Sequence, residues 1–405
     1  MSATQSEEHG VIAALENLVG LYPTQNTKTV ATPTENTAQA SISKHETKHN
    51  AITPCSESSA SHNQTWWARF FPTEAQIDEL FVEEHMGNYV VLRNTRQEVF
   101  ESMPIYVRVG MQLLFYHSRK TSLLKYGTVE RLLETVSIHQ GKVYDDDSDP
   151  QAVLDHIQSF VSTYSIPLNE LLETDLTKYP TFNSFFSRKL RSDARPIADP
   201  KDISVISSCA DCRLTVFPNV DAATKVWIKG SHFSLNRLLD DVHTSNSDFP
   251  PGSSLAIFRL APADYHRFHV PVGPSITGPT KHIKGEYLTV NPQAVNNDFD
   301  VFTANRRDVL YSTWNVGNGK SIPYAFVAIG ALLVGSIGWT TPAAVQGSTS
   351  QRGQELGYFA YGGSTVVVVF PPKAQVKWDQ DLLDASSQGK ETMVRVGERI
   401  GKADG

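Results

Sequence analysis

The sequence predicts an α+β protein in which a helical N-terminal region packs on a β-rich C-terminal domain. Apolar side chains recur at helical spacing between about residues 66 and 195. From about residue 200 to 405, short Val- and Ile-rich runs alternate with glycine and proline, which is typical of strands. Residues 1–65 show neither pattern. The chain is therefore expected to have three parts, with any chemistry in the third.

Residues 1–65 are predicted to be a disordered, low-complexity segment. Most of it is rich in Thr, Ser, Asn, Gln and Ala and almost free of aromatic residues, so it cannot bury enough apolar surface to offset its ordering entropy. The first arginine is Arg69, which argues against a mitochondrial presequence, and no secretory signal pattern follows the start. We expect a cytoplasmic protein or one peripheral on an internal membrane.

Overall composition limits the function classes. The 405 residues carry a formal net charge of −7, which gives no electrostatic footprint for binding nucleic acid. Three cysteines do not make a disulfide framework and fit a reducing compartment. The longest apolar run, residues 324–339, contains three glycines and a serine. It is therefore expected to form packed strands rather than a membrane span.

The region 66–195 is predicted to be helical, with a surface that could face a membrane. Residues 104–116 are apolar on nearly all sides and are followed by basic residues. They fit a helix resting on a membrane surface, or a helix packed on the main domain with its basic end in solvent. Helical spacing continues over 129–136 and 152–164. The acidic run 145–149 lacks the glycine and distal glutamate of a calcium loop, so we expect a solvated loop or helix start.

A turn followed by a valine run stands out near the C-terminus. Residues 362–370 read GGSTVVVVF and are followed by two prolines. Four β-branched residues in a short, bounded apolar run predict a fully buried strand. Ser364 is then placed at the mouth of that strand, directly after the flexible Gly362-Gly363 pair. Its hydroxyl is next to the Gly363 carbonyl in the chain.

Two histidines and an acid are the other candidate reactive groups. Residues 264–271 read DYHRFHVP, which places His266 and His269 three positions apart. The two would share a face in a helix and point oppositely in a strand. Asp211 lies between Cys209 and Cys212. That CxxC pair has no second pair to complete a zinc site and no thioredoxin-like context, so neither metal nor redox use is expected.

Several sequence blocks resemble the phosphatidylserine decarboxylase family. Residues 179–197 read YPTFNSFFSRKLRSDARPI, similar to the family's entry signature, with Phe182, Phe185 and Phe186 on one helix face. Further blocks follow in family order, and they read ADCR, KGSHFSLNRLL, DYHRFHVP, GEYLTVNP, VFTANRR, VAIGALLVGSI and GGST. The resemblance covers about residues 100 to 400. It departs at Cys212, where the family has glycine, and in the turn after the histidine block.

The resemblance implies the site and its cofactor. Asp211, His269 and Ser364 correspond to the family's self-processing triad, and His266 corresponds to the residue beside the reaction centre. Self-cleavage between Gly363 and Ser364 is implied to convert Ser364 into a pyruvoyl group, the cofactor of the reaction, with no metal. The acid–base–nucleophile logic is chemically sound, because a serine needs an adjacent base to act as a nucleophile.

The function implied is a lyase of phospholipid biosynthesis, made as a zymogen, that decarboxylates phosphatidylserine to phosphatidylethanolamine and CO₂. One alternative is a soluble decarboxylase of a free aromatic amino acid such as tryptophan on the same scaffold. Another is an uncleaved lipid-binding relative. A Ser-His-Asp hydrolase is disfavoured, because Ser364 lacks a Gly-x-Ser-x-Gly elbow. A phospholipid or amino-acid substrate, peripheral membrane contact and a homodimer are the expected partners, and nucleic acid is not.

Overall fold

The architecture is mixed helix and sheet, which confirms the predicted class. The computed structural model describes residues 87–102, 141–226, 228, 233–240, 248–288, 301–317, 319–331, 336–340, 342–360 and 364–404. The predictions for residues 1–65, 104–116 and 129–136 lie outside these ranges. None of the helices in the described ranges is long and apolar enough to cross a membrane.

The described ranges contain sixteen strands, six α-helices of defined bounds and a further helical stretch at residues 141–144. The strands are β1 (Gly87–Leu92), β2 (Glu98–Ser102), β3 (Val205–Ser207), β4 (Cys212–Phe217), β5 (Ser254–Leu260), β6 (Arg267–His269), β7 (Ser275–Ile283), β8 (Arg307–Gly317), β9 (Lys320–Gly330), β10 (Ile337–Trp339), β11 (Thr349–Ser350), β12 (Glu355–Phe359), β13 (Ser364–Phe370), β14 (Val376–Trp378), β15 (Glu391–Val394) and β16 (Arg399–Ala403). The helices are α1 (Pro150–Tyr164), α2 (Phe182–Phe186), α3 (Val220–Val226), α4 (Leu235–Leu239), α5 (Val301–Ala304) and α6 (Gln380–Ser387). Short 3₁₀ turns cover Leu168–Glu170, Leu176–Lys178 and Pro372–Ala374.

Ten of the strands form one sheet in the order β11-β7-β8-β9-β13-β5-β4-β15-β1-β2. Neighbours in it are antiparallel except β1 and β15, which are parallel. Two three-stranded sheets, β10-β12-β6 and β14-β16-β3, complete the β structure. Within the apolar run, residues 324–330 lie in β9 and residues 337–339 lie in β10, as predicted.

The central strand of the large sheet is β13. All seven of its residues are buried, and it pairs with β5 on one side and β9 on the other. Burying a valine side chain stabilises a fold by roughly 1.5–3 kcal/mol, so the run of four valines is a large part of the local core. The predicted buried strand is thus confirmed, and Ser364 is its first residue.

The N-terminal end of the described chain differs from the helical pattern expected there. Residues 87–102 form a β-hairpin, and β1 extends the main sheet by pairing with β15. Arg93, in the hairpin, donates hydrogen bonds to Asp379 (2.8 Å) and Asp381 (2.9 Å), at the start of α6. The hairpin therefore belongs to the β-rich body, and the domain boundary near residue 200 stays a prediction.

Two of the helices predicted for this region, α1 and α2, are present. Asp149 caps α1, its side chain accepting from the amides of Gln151 and Ala152, so the acidic run does serve as a helix start. The aromatic face of α2 is buried, and Phe182 packs edge-on against Phe160 of α1 with ring centroids 5.3 Å apart. The entry motif is thus an internal anchor that joins α1 to the sheet domain.

Candidate active site

Ser364 is wholly buried at the start of the central strand. It pairs with Leu260 of β5 and with Gly330 of β9. The preceding residues 361–363 lie outside the described ranges. Stiff, paired strands on both sides hold the hydroxyl in one place, as a reacting group requires.

His266 is the base in contact with this serine. Its ring is fully buried, and its Nδ1 lies 3.3 Å from Ser364 Oγ. Its Nε2 lies 3.0 Å from the carbonyl oxygen of Ala261. Because a carbonyl can only accept, Nε2 carries the proton, and the free lone pair is on Nδ1, facing Ser364. The serine hydroxyl can therefore donate its proton to Nδ1.

The surroundings of His266 keep it neutral. Burial, with a smaller effect of the nearby Arg188 charge, lowers the pKa of His266 to about 3. The Phe186 ring lies against the imidazole, with centroids 3.9 Å apart. At neutral pH the imidazole is therefore in the form that accepts a proton.

His269 lies in a different environment. Its Nδ1 is 3.0 Å from the carbonyl oxygen of Gly353, its ring is beside that of Tyr265, and its buried Nε2 has no partner. Burial, its largest influence, lowers the pKa of His269. Within the described residues, no hydrogen bond joins His269 to Ser364 or to Asp211. His269 is the last residue of β6, whereas His266 precedes the strand, and the two imidazoles have different neighbours.

Asp211 is held by an arginine. Its carboxylate accepts two hydrogen bonds from Arg195 Nε, at 3.0 Å each, and one from Nη2 at 2.6 Å. It also accepts from the Val396 amide at 2.8 Å. Arg195 forms a second ion pair with Glu170. Asp211 thus ties the end of the entry motif to the C-terminal segment, and its role and that of His269 in self-processing stay predictions.

Two residues of the entry motif lie at the site, where the sequence did not predict them. Arg188 is buried and donates to the carbonyl oxygens of Phe186 (3.3 Å), Ala263 (3.1 Å) and Asp264 (3.2 Å). Burial lowers the pKa of Arg188 to about 10. Both Phe186 and Arg188 belong to the entry motif, so the motif places a ring and a cation beside the histidine. The aromatic spacing was visible in the sequence, but its target was not.

A cluster of buried charges lies next to the Ser364 strand. Arg213 pairs with Asp264 and Glu101, and Arg259 pairs with Glu391 and Glu101. Arg259 lies directly opposite Thr365 of β13. Glu101 belongs to β2, so the hairpin contributes one of the three carboxylates that balance two arginines.

The local chemistry fits a pyruvoyl group formed at residue 364. The precursor residue is a buried serine whose hydroxyl faces a neutral imidazole nitrogen, as activation of a serine requires. Burial raises the pKa of both Cys209 and Cys212, which disfavours the thiolate, and in the described ranges no three His, Cys, Asp or Glu side chains are grouped to hold an ion.

Comparison with known proteins gives consistent matches. Residues 182–402, more than half of the chain, match the phosphatidylserine decarboxylase family. A relative from Komagataella phaffii, phosphatidylserine decarboxylase proenzyme 2, is 36% identical over 358 residues, which are 88% of this chain and 34% of the relative. One of the same name from Oryza sativa subsp. japonica is 39% identical over 339 residues, or 83% of this chain and 51% of the relative.

This chain covers a larger share of a bacterial relative. The phosphatidylserine decarboxylase proenzyme of Chlamydia trachomatis is 40% identical over 246 residues, which are 61% of this chain and 77% of the relative. By contrast, the chain spans only about a third of the fungal relative and about half of the rice relative.

Proposed function

Because the chain belongs to the phosphatidylserine decarboxylase family, we propose that it is a self-processing carboxy-lyase that converts phosphatidylserine to phosphatidylethanolamine and CO₂. The observation that carries the proposal is the contact between Ser364 Oγ and His266 Nδ1, 3.3 Å apart and fully buried. A serine at the head of a buried strand, next to a neutral imidazole, has the groups that peptide-bond rearrangement needs.

Self-processing begins with the serine hydroxyl. His266 Nδ1 takes the hydroxyl proton while Ser364 Oγ attacks the Gly363 carbonyl carbon. The Gly363–Ser364 amide bond breaks, the former amide nitrogen gains a proton, and an ester joins the two residues. Removal of the Cα proton of residue 364 then expels the Gly363 carboxylate and leaves a dehydroalanine. Water adds, ammonia leaves, and residue 364 ends as a pyruvoyl group.

The triad of Asp211, His269 and Ser364 is a second proposal for the same step. It is supported by the sequence blocks that carry the resemblance. In the described geometry His269 Nε2 has no partner, and Asp211 is occupied by Arg195. For the triad to act, His269 has to reach the serine during processing.

Decarboxylation uses the same place in the fold. The pyruvoyl group supplies an electron sink for the bond that breaks between Cα and the carboxylate. His266 lies beside residue 364. We propose that its Nδ1 takes a proton from the ammonium group of the substrate and returns it to Cα, where it replaces the lost carboxylate. Phe186 covers the imidazole face and keeps water from it.

The substrate is inferred from the relatives, and the location is inferred from the substrate. Those reported above are named for phosphatidylserine, and nothing among the described residues favours the free aromatic amino acid or the uncleaved lipid-binding alternative. A phospholipid substrate requires contact with a membrane surface, so we propose peripheral membrane association. A homodimer remains the proposed assembly.

A denaturing gel tests self-processing. The purified full chain is expected to give two bands, the smaller comprising residues 364–405 with a blocked N-terminus by mass spectrometry. Ser364→Ala is expected to remain one band. An intact wild-type chain that still releases CO₂ would refute the pyruvoyl proposal.

A paired assay tests the substrate. Phosphatidylserine in liposomes and free tryptophan are given separately to the processed protein, and CO₂ release is measured. Release from the liposomes alone is the expected result. Release from tryptophan alone would replace the lipid assignment with the amino-acid alternative.

A further inference from the structure

The turn before His266 is closed by one carboxylate. The Asp264 amide donates to the Ala261 carbonyl oxygen at 2.9 Å, and the Asp264 side chain accepts from the Ala261 amide at 2.7 Å. Asp264 therefore contacts Ala261 at both its polar backbone groups. This double contact fixes the orientation of the Ala261 peptide groups relative to Asp264.

Two buried arginines hold this turn in place. Arg213 Nη1 lies 2.5 Å from each oxygen of the Asp264 carboxylate, and Arg188 donates to the carbonyl oxygens of Ala263 and Asp264. Both arginine side chains are almost fully buried, so the contacts are little screened by solvent. Arg213 is itself held by Glu101.

The turn ends at the imidazole of His266. The Ala261 carbonyl oxygen that accepts from the Asp264 amide also accepts from His266 Nε2, at 3.0 Å. A carbonyl oxygen has two lone pairs, so it can accept both bonds. The second bond places the imidazole proton on Nε2 and turns the lone pair of Nδ1 toward Ser364.

We propose that Asp264, anchored by Arg213, is a positioning residue that sets the tautomer and orientation of His266. The inference rests on the proposed function of Ser364 and His266. In the opposite tautomer, Nε2 is an acceptor that faces the Ala261 carbonyl oxygen, so that hydrogen bond is lost. Nδ1 then carries the proton and cannot take the proton of the Ser364 hydroxyl. The closed turn excludes that arrangement.

The expected variant effect follows from this chain of contacts. Asp264→Asn keeps an acceptor for the Ala261 amide but removes the charge that holds Arg213. The turn can then shift, and an error of about 1 Å in a reacting group can slow a reaction 100-fold. We expect self-cleavage and kcat to fall about 100-fold while KM for phosphatidylserine in liposomes stays within about twofold, since Asp264 is proposed to act through His266 and not on the substrate.

Imidazole ¹⁵N NMR gives a readout that a merely structural role does not move. The full chain carrying Ser364→Ala cannot self-process, so the tautomer is measured without any reaction, and His266→Gln identifies the resonance. We expect one tautomer with the proton on Nε2, and a mixture after adding Asp264→Asn. An unchanged tautomer in folded Asp264→Asn protein overturns the proposal, whatever the activity.

A matched control and a milder variant complete the test. Asp202 also caps a turn, accepting from the Ser204 amide at 3.0 Å, and pairs with Lys402 at 2.8 Å. Asp202→Asn is expected to change neither tautomer nor rate, and the same losses there would overturn the specific role of Asp264. If Asp264→Asn does not fold, Arg213→Lys keeps a cation at Asp264 without the planar fork. Its expected result is a minor second tautomer and a roughly tenfold slower rate, and an unchanged tautomer overturns the proposal.

The two proposals fail in different ways. A wild-type chain that never self-cleaves contradicts the proposed function, while the NMR result in the Ser364→Ala chain still decides the positioning role. A wild-type chain that cleaves normally, with an unchanged tautomer in Asp264→Asn, contradicts the positioning role alone.

Discussion

Two histidines of the same block lie on either side of Arg267 and Phe268 in different surroundings, His266 immediately before β6 and His269 at its last residue. On one side, His266 is fully enclosed by Phe186, Ala261 and Ser364. On the other, His269 lies beside Tyr265 and a cavity of about 160 Å³, with one ring nitrogen unpaired. The comparison shows that the backbone, not the sequence interval, decides which histidine meets the nucleophile.

The largest expected effect on activity comes from replacing each of the two histidines by glutamine. His266→Gln is expected to lower CO₂ release per processed chain by 10²–10⁴-fold, the usual worth of a general acid or base, and to slow self-cleavage. His269→Gln is expected to slow self-cleavage less. Rates are followed by gel and by ¹⁴CO₂ capture from labelled phosphatidylserine.

The opposite order of effects on self-cleavage would support the triad of Asp211, His269 and Ser364. If His269→Gln blocks self-cleavage and His266→Gln does not, the triad implied by the family blocks is correct. His269 must then reach Ser364 in a conformation that differs from the described one.

Asp211→Asn is the next largest expected change, and it concerns stability. Removing one partner of a buried ion pair typically costs about 3–5 kcal/mol. Arg195 keeps its ion pair with Glu170 and its hydrogen bond to the Ala194 carbonyl oxygen, so the lower end is expected here. Urea unfolding of the Ser364→Ala chain with and without Asp211→Asn measures it. Equal stability, together with lost self-cleavage in the chain that keeps Ser364, would assign Asp211 to the chemistry.

Arg188→Gln is expected to change the pH dependence of self-cleavage by acting on His266 and not on His269. The nearby guanidinium helps lower the pKa of His266, so its neutral replacement should raise that pKa toward its ordinary value. His266 accepts a proton only when neutral, and a raised pKa leaves less neutral form in acid. The rate of self-cleavage at pH 5 relative to pH 8 should therefore fall in the variant.

The wild-type protein is the reference for that profile. With a pKa near 3, His266 should show little loss between pH 8 and pH 5. Identical profiles for wild type and folded Arg188→Gln would remove Arg188 as an influence on His266.

The smallest expected effect is that of Tyr265→Phe, on the His269 side. The hydroxyl makes no hydrogen bond among the described residues, so its removal should change stability by no more than about 0.5 kcal/mol and the rate by less than threefold. A larger loss in CO₂ release would indicate that the cavity beside His269 takes part in the reaction.

Local patterns were sufficient to predict several elements. The β-branched run 366–369 predicted the buried strand, and the spacing of Phe182, Phe185 and Phe186 predicted α2, because both signals depend on neighbouring residues only. The same holds for α1, whose start is set by Asp149.

Long-range features were not accessible in this way. The hairpin 87–102 was missed because β1 is held by β15, three hundred residues away in the chain, and a two-stranded hairpin is marginal alone. The neighbours of His266 and His269 depend on the turn at residues 261–264 and on where β6 begins, and the spacing of the histidines could show neither. Glu101 belongs to this hairpin, so the sequence could not place it in the charge cluster either.

The interleaving of the C-terminal strands has a consequence for the matured molecule. Once the bond before Ser364 is cut, the shorter polypeptide still contributes β13 to the middle of the sheet and β15 between β1 and β4. The two polypeptides therefore cannot dissociate unless the sheet unfolds. Renaturation then becomes a second-order encounter of two polypeptides, so recovery from denaturant should depend on protein concentration for the cut form and not for the uncut one.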